Sequence, residues 1–227
     1  MRLGRVEKGP MGDTGDAVVV VIDDEASVRT ASARLIRSAG LQVKAFPSAE
    51  AFLAEHQAVP AACLVVDVRL PGLDGLGLQE ALSRGGHPIS IIFITGHGDV
   101  PTSVRAMKAG AVDFLQKPFE GRDLLDAIRR ASARTREAVA RQADSAEIQR
   151  RYGTLTPRER EVLSLVVAGL LNKQVAGELG AAEKTIKIHR GRVMAKMQAA
   201  SLPDLVRVAA LLGIPAQRPV ARDAPGR

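Results

Sequence analysis

The sequence predicts two domains of different class, an α/β domain on a five-stranded parallel sheet followed by a small all-α domain. From Val18 to about Ala133, short apolar runs alternate with segments of helical period, the pattern of a parallel sheet covered by helices on both faces. After Tyr152 the pattern changes to short helices separated by glycine. The 227 residues, 46% apolar and 25% charged, are enough for two separate cores.

Strands are predicted at 18–23, 41–45, 62–67, 89–94 and 112–116. Between them the pairs Val28 and Leu35, Ala49 and Leu53, Leu78 and Leu82, and Val104 and Met107 recur at helical spacing, which puts each pair on one helix face. Gly40 and Gly110 fall just past helices, where a left-handed residue ends the helix without steric cost. From Arg122 the helical pattern runs on into a stretch carrying Arg129, Arg130, Arg134, Arg136, Arg141 and Arg150 while apolar residues thin out. The expected division is therefore a flexible N-terminus at 1–16, an α/β domain at 17–133, a charged helical linker at 134–152 and an all-α domain at 153–214. Residues 215–227, with Pro215, Pro219 and Pro225, read as a disordered tail.

In the second domain Thr156 is placed as N-cap, Pro157 at the first helical position and Glu159 to close a capping box. That helix is expected to run to Gly169. Asn172 is expected to cap a short helix ending at Gly180, and a third helix is expected from about Glu183 to Met197. Helix, tight turn with glycine, helix is the helix-turn-helix arrangement.

Several classes are excluded or disfavoured. Apolar runs such as Ala17 to Ile22 fall far short of the roughly 20 residues needed to cross a bilayer. The first sixteen residues lack the apolar core of a secretion signal, so a cytoplasmic location is expected. Cys63 is the single cysteine and sits in an apolar run, which predicts a buried, inert thiol. The net charge of +7 is localised: up to Arg150 there are nineteen basic and nineteen acidic residues, and from Arg151 onward thirteen basic and six acidic. Only the C-terminal part is built to meet a polyanion.

Polar groups gather at one rim of the predicted sheet. The first strand runs into Asp23, Asp24 and Glu25, the third ends at Asp67, the fourth is followed by Thr95, and the fifth by Lys117 and Pro118. Singly these read as caps, turns or solvated side chains. Together they place carboxylates, a hydroxyl and an ammonium where ligands bind in such sheets, beyond the carboxyl ends of the strands. Carboxylates of this kind suit Mg²⁺, and Asp67 suits a nucleophile that accepts a phosphoryl group. Lys117 and Thr95 would neutralise the charge of the transferring group.

The segments VVVIDDE, CLVVDVRLPGLDGLGL, IIFITGHGDV and AVDFLQKPF resemble the receiver domains of two-component response regulators of the FixJ type, over residues 18 to about 130. The resemblance implies a flavodoxin-like receiver with strand order 2-1-3-4-5 and phosphorylation of Asp67 by a histidine kinase. It implies Mg²⁺ held by Asp24, Asp67 and the carbonyl of Arg69, with Asp23 acting through water. It assigns Thr95 and Lys117 to the phosphorylation chemistry and Thr95 and Phe114 to the switch, with a dimerisation surface between Val100 and Arg129. The family's lysine-proline bond, here Lys117-Pro118, is often cis, an isomer that only X-Pro bonds adopt cheaply. An aspartate-nucleophile phosphatase is disfavoured because Arg69 stands where its second acid would be, so no turnover of other substrates is expected beyond slow loss of the phosphoryl group. A receiver serving only as a dimerisation module is disfavoured by the retained Asp24, Asp67, Thr95 and Lys117.

The run LTPREREVLSLVVAGLLNKQVAGELGAAEKTIKIHRGRVMAKM resembles the DNA-binding domain of the LuxR class, over about Leu155 to Ile214. On the third helix Ile186, Val193 and Met197 share the core face, with Met194 beside them, while Lys184, Ile188, Gly191, Arg192 and Ala195 lie opposite and Lys187 at the edge. Such a face can enter a major groove. The expected DNA-contacting set is Lys173, Lys184, Thr185, Lys187, Ile188, Arg190 and Arg192, with Arg190 placed for phosphate contact or packing rather than base reading. Ala182 departs from the family, whose members usually carry a Ser or similar cap there. A fourth helix at about 203–212 is implied to support dimerisation. Contact with RNA polymerase is a further expectation, and the C-terminal charge disfavours a protein partner as that domain's sole target.

Overall fold

The computed structural model describes residues 18–56, 59–96 and 100–214. The expectations for 1–16 and 215–227 lie outside the described residues. The chain divides into two compact units between Ala140 and Arg141.

In the first unit, β1 (Val18–Ile22), β2 (Val43–Phe46), β3 (Ala61–Asp67), β4 (Ile91–Thr95) and β5 (Asp113–Gln116) alternate with α1 (Ala26–Ser38), α2 (Ala49–Glu55), α3 (Gly75–Arg84), α4 (Val100–Lys108) and α5 (Gly121–Gly153), whose residues from Arg141 onward belong to the second unit. The strands form one parallel sheet in the order β2-β1-β3-β4-β5, as the sequence implies. The chain steps from β1 to one side and returns to the other, so the crevice of this fold opens between the carboxyl ends of β1 and β3.

The central strands are apolar up to the polar residues that end β3 and β4, because both faces are covered. Alternate residues serve opposite faces. Val18, Val20, Ile22, Leu64 and Val66 pack with Phe52, Leu78 and Leu82 of α2 and α3. Val19, Val21, Cys63 and Val65 pack with Ile36 of α1 and with Leu124 and Ile128 of α5. Burial pushes the Cys63 thiol up to about 12, in keeping with an inert group.

Some expected boundaries move, for local reasons. β4 starts at Ile91 rather than 89, because the Ile89 amide donates to the His87 carbonyl at 2.8 Å and closes a turn before the ladder begins. On α4 the pair Val104 and Met107 does not face the core: the two are 44% and 46% exposed, Val100 is 74% exposed, and the buried residue is Ala106. Gly40 and Gly110 take φ of +79° and +95°, the left-handed geometry expected at these helix ends.

The second unit contains α6 (Pro157–Val167), α7 (Asn172–Leu179), α8 (Glu183–Met197) and α9 (Leu202–Leu211). Leu163, Val166, Val175, Ile186, Val193, Met197 and Leu205 form its core. Ile148 and Tyr152, in the stretch that reads as linker, lie within α5 and pack against this core. The capping box is present: Glu159 N donates to Thr156 Oγ1 at 3.2 Å and Thr156 N to Glu159 Oε2 at 2.9 Å. Lys196 Nζ donates to the same Oε2 at 2.6 Å, which ties the end of α8 to the start of α6. Asn172 is not the cap of α7 but its first residue; Leu171 precedes it, and the Leu171 amide donates to Gln174 Oε1 at 2.8 Å. Ala182 supplies no side-chain cap to α8, as the sequence anticipates.

Candidate functional site

The carboxyl ends of β1 and β3 bring the acidic residues together. Asp23 follows β1 and is fully buried, Asp67 ends β3 with 6% exposure, and the neighbouring Asp24 is exposed. Ligand oxygens of all three lie within 4.8 Å of one another, so the cluster can hold a metal ion. Three carboxylates this close repel one another, and the compensating charge is Lys117 from the end of β5. Its Nζ donates to Asp23 Oδ2 at 2.8 Å and to Asp67 Oδ2 at 2.6 Å. Thr95 ends β4 with 1% exposure, and its carbonyl accepts the Lys117 amide at 2.7 Å, which fixes where the lysine leaves the sheet. The Lys117-Pro118 peptide bond is cis.

The remaining oxygens have defined partners. Asp67 Oδ1 accepts the Arg69 amide and Asp23 Oδ1 the Glu25 amide, each at 2.9 Å. Burial raises the carboxyl of Asp23 above its ordinary value, against the lowering pull of Lys117. Burial also works against the charge of Lys117, but its hydrogen bonds to both aspartates win, and its ammonium is held above the ordinary lysine value.

Gly75, the first residue of α3, lets that helix approach the carboxyl end of β3. A Cβ there would come within 2.5 Å of the Asp67 carbonyl oxygen and 3.2 Å of Val68 Cα. Phe114 lies half-buried on β5 opposite Phe93 and packs against the α2 and α3 side of the core.

Two supporting residues escape the sequence reading. Glu50 of α2 accepts the Leu73 amide at 2.7 Å and so pins the loop that follows Arg69. Arg29 of α1 donates to the carbonyls of Asp23 at 2.6 Å and Asp24 at 3.2 Å, which fixes the acidic turn. A basic residue close to a helix start opposes the helix dipole, and that is the one local signal Arg29 offered. The Glu50 contact spans twenty-three positions and leaves none in the sequence.

On α8 the buried residues are Ile186, Val193 and Met197. Lys184, Thr185, Lys187, Ile188 and Arg192 are exposed, and so is Lys173 on α7. Ile188 is 49% exposed, an apolar group flanked by cations. Arg190 is half-buried, and its Nη1 donates to Asn172 Oδ1 at 3.1 Å, bracing α8 on α7.

Residues 19–129 match the response regulator receiver domain family and residues 153–209 the luxR family of bacterial regulatory proteins. The chain is 52% identical over 200 residues to nodulation protein W of Bradyrhizobium diazoefficiens, covering 88% of each. It is 48% identical over 194 residues to the transcriptional regulatory protein FixJ of Rhizobium meliloti, covering 86% of this chain and 95% of that one. Among solved structures, that of the response regulator StyR superposes with a TM-score of 0.75 at 44% identity, covering 86% of this chain and 99% of that one.

Proposed function

The chain belongs to the transcriptional response regulators of the FixJ type, a receiver domain joined to a LuxR-family DNA-binding domain. On that premise we propose that Asp67 accepts a phosphoryl group from a histidine kinase and that this event controls dimerisation and DNA binding. The observation that carries the reading is the Lys117 ammonium held between Asp23 and Asp67, with Asp24 at metal-binding distance of both. A carboxylate nucleophile needs its charge neutralised before an anionic phosphoryl group can approach, and this arrangement supplies a fixed cation.

The donor set is all hard oxygen, which fits Mg²⁺. Asp24, Asp67 and the Arg69 carbonyl would hold the ion, with Asp23 placed to orient its water. When bound, Mg²⁺ adds the charge neutralisation that phosphoryl transfer requires. In the transfer the kinase phosphohistidine loses its P–N bond and a P–O bond forms to an Asp67 carboxylate oxygen. Lys117 then pairs with the phosphoryl group, and the Thr95 hydroxyl turns toward it. Phe114 follows into the space beside Thr95, which alters the surface from Val100 to Arg129.

The functional units are then a receiver at 17–133, a helical linker at 134–152 and a DNA-binding domain at 153–214, acting in the cytoplasm. Lys184, Lys187, Ile188 and Arg192 on the open face of α8 enter the major groove, with Lys173, Thr185 and Arg190 at its border. The phosphorylated protein dimerises, in part through α9, and activates transcription, with RNA polymerase as a further partner. It is not a turnover enzyme on other substrates.

The direct test is mass spectrometry after incubation with acetyl phosphate and Mg²⁺. The intact protein gains one phosphoryl group that neutral hydroxylamine removes, and Asp67→Asn gains none. Equal labelling of Asp67→Asn would place the acceptor elsewhere.

A further inference from the structure

The opposite edge of the receiver sheet carries a second group of metal-ligating side chains. His56 follows α2 on the way to β3, and His87 follows α3 on the way to β4. Both therefore stand at the amino ends of the strands, roughly 20 Å from Asp67 by the length of β3. The two imidazoles meet with Nε2 to Nε2 at 3.3 Å and ring planes at 90°.

We propose that His56 and His87 form a site for one borderline divalent transition-metal ion, of the class of Zn²⁺ or Ni²⁺, with water in the remaining positions. Three features carry this. Two imidazole nitrogens bound at the usual zinc distance with a tetrahedral angle stand about 3.3–3.4 Å apart, which is the separation found. His56 Nδ1 donates to the Leu53 carbonyl at 2.7 Å, so its proton is fixed on Nδ1 and the Nε2 lone pair faces His87. A backbone carbonyl in this position is the usual outer partner of a metal-bound histidine. Finally, both backbones are anchored. His56 O accepts the Val59 amide at 3.2 Å, His87 N donates to Leu82 O at 3.1 Å, and His87 O accepts the Ile89 amide at 2.8 Å.

Without metal, the His56 tautomer requires His87 to donate its Nε2 proton across the 3.3 Å gap, a long hydrogen bond. To ligate, neutral His87 moves that proton to Nδ1, and both Nε2 lone pairs then face the ion. The ion would clip the carboxyl ends of α2 and α3 together. Among the described residues only Asp23, Asp24 and Asp67 form a larger group of this kind, so the two sites differ in chemistry: oxygen donors for hard ions, imidazoles for borderline ones.

The experiment is titration of the untagged full chain with Zn²⁺ in excess Mg²⁺, followed by calorimetry, with long-range ¹⁵N spectra of the histidine rings. One equivalent is expected to bind, with the Nε2 resonances of His56 and His87 shifting together. His56→Gln and His87→Gln should each weaken binding by at least the roughly tenfold that loss of even an outer-shell partner costs. Asp67→Asn should leave it unchanged. Ring spectra of the parent decide the matter even if a variant folds poorly. Unmoved Nε2 resonances in the parent, absence of binding, or undiminished binding in both histidine variants would overturn the proposal.

Discussion

Replacing Lys117 by Met removes the one ammonium that joins two buried carboxylates, and it should destabilise the receiver. The Lys117 side chain is 16% exposed, that of Asp23 0% and that of Asp67 8%, so water replaces little of the lost charge. Breaking a buried pair by deleting one partner costs about 3–5 kcal/mol. The exposure of Asp24 beside the pair lets some solvent in, so the lower end, about 3 kcal/mol, is expected. With urea slopes of about 1–3 kcal/mol per molar, the midpoint falls by about 1–3 M.

The deficit should depend on pH in a definite sense. Asp23 already has a raised carboxyl, so the folded state binds its proton more tightly than the unfolded chain. That contribution is present below the ordinary value of 3.8 and is lost as pH rises through the folded value. Met at 117 removes the lowering pull and raises Asp23 further. The deficit is therefore greatest at neutral pH and shrinks in acid, and saturating Mg²⁺ recovers part of it by supplying a cation to the same oxygens. Urea unfolding with EDTA or Mg²⁺, localised to β1 and β3 by amide exchange, measures this. Equal stability of parent and variant, or a deficit that ignores both pH and Mg²⁺, would refute the reasoning.

Three further outcomes follow from the same geometry. Gly75→Ala drives a Cβ against the Asp67 carbonyl and Val68 Cα, backbone atoms that cannot swing aside, so about 1–3 kcal/mol of receiver stability is lost together with the rate of labelling by acetyl phosphate. Ala182→Ser supplies the missing cap of α8 and should stabilise the C-terminal unit by about 1 kcal/mol, seen as slower amide exchange in α8. Burial pushes the Glu159 carboxyl up, but the hydrogen bond from Lys196 and those of the capping box together outweigh it and hold the group below its ordinary value of 4.5. Its contribution is therefore complete above 4.5 and lost as pH falls through the folded value, and Glu159→Gln should flatten the acid limb of the C-terminal unit's stability curve.

The sheet was legible because β1 and β3 are apolar on both faces, and residues such as Asp23, Asp24 and Asp67 at the ends of such strands stand out chemically. The helix start at Thr156 was legible because capping is local. Residues linked across long separations were not. Lys196 reaches Glu159 over thirty-seven positions and Glu50 reaches Leu73 over twenty-three, contacts that no periodicity encodes. The exposed stripe Val100, Val104 and Met107 shows the limit from the other side. Spacing reveals that residues share a helix face but not whether that face meets the core, and on α4 the small Ala106 fills that role. Asn172 misled for a related reason: the Leu171 amide found its partner in Gln174, so the asparagine was left to brace Arg190.

The central claim is that a charge placed on Asp67 governs DNA binding by the second domain. It is tested most directly by measuring the affinity of the full chain for a selected duplex with and without acetyl phosphate and Mg²⁺, beside Asp67→Asn. Tightening by the phosphodonor in the parent, absent from Asp67→Asn, is the predicted result. Equal affinity in all four conditions would contradict the coupling and leave a DNA-binding protein whose receiver does not control it.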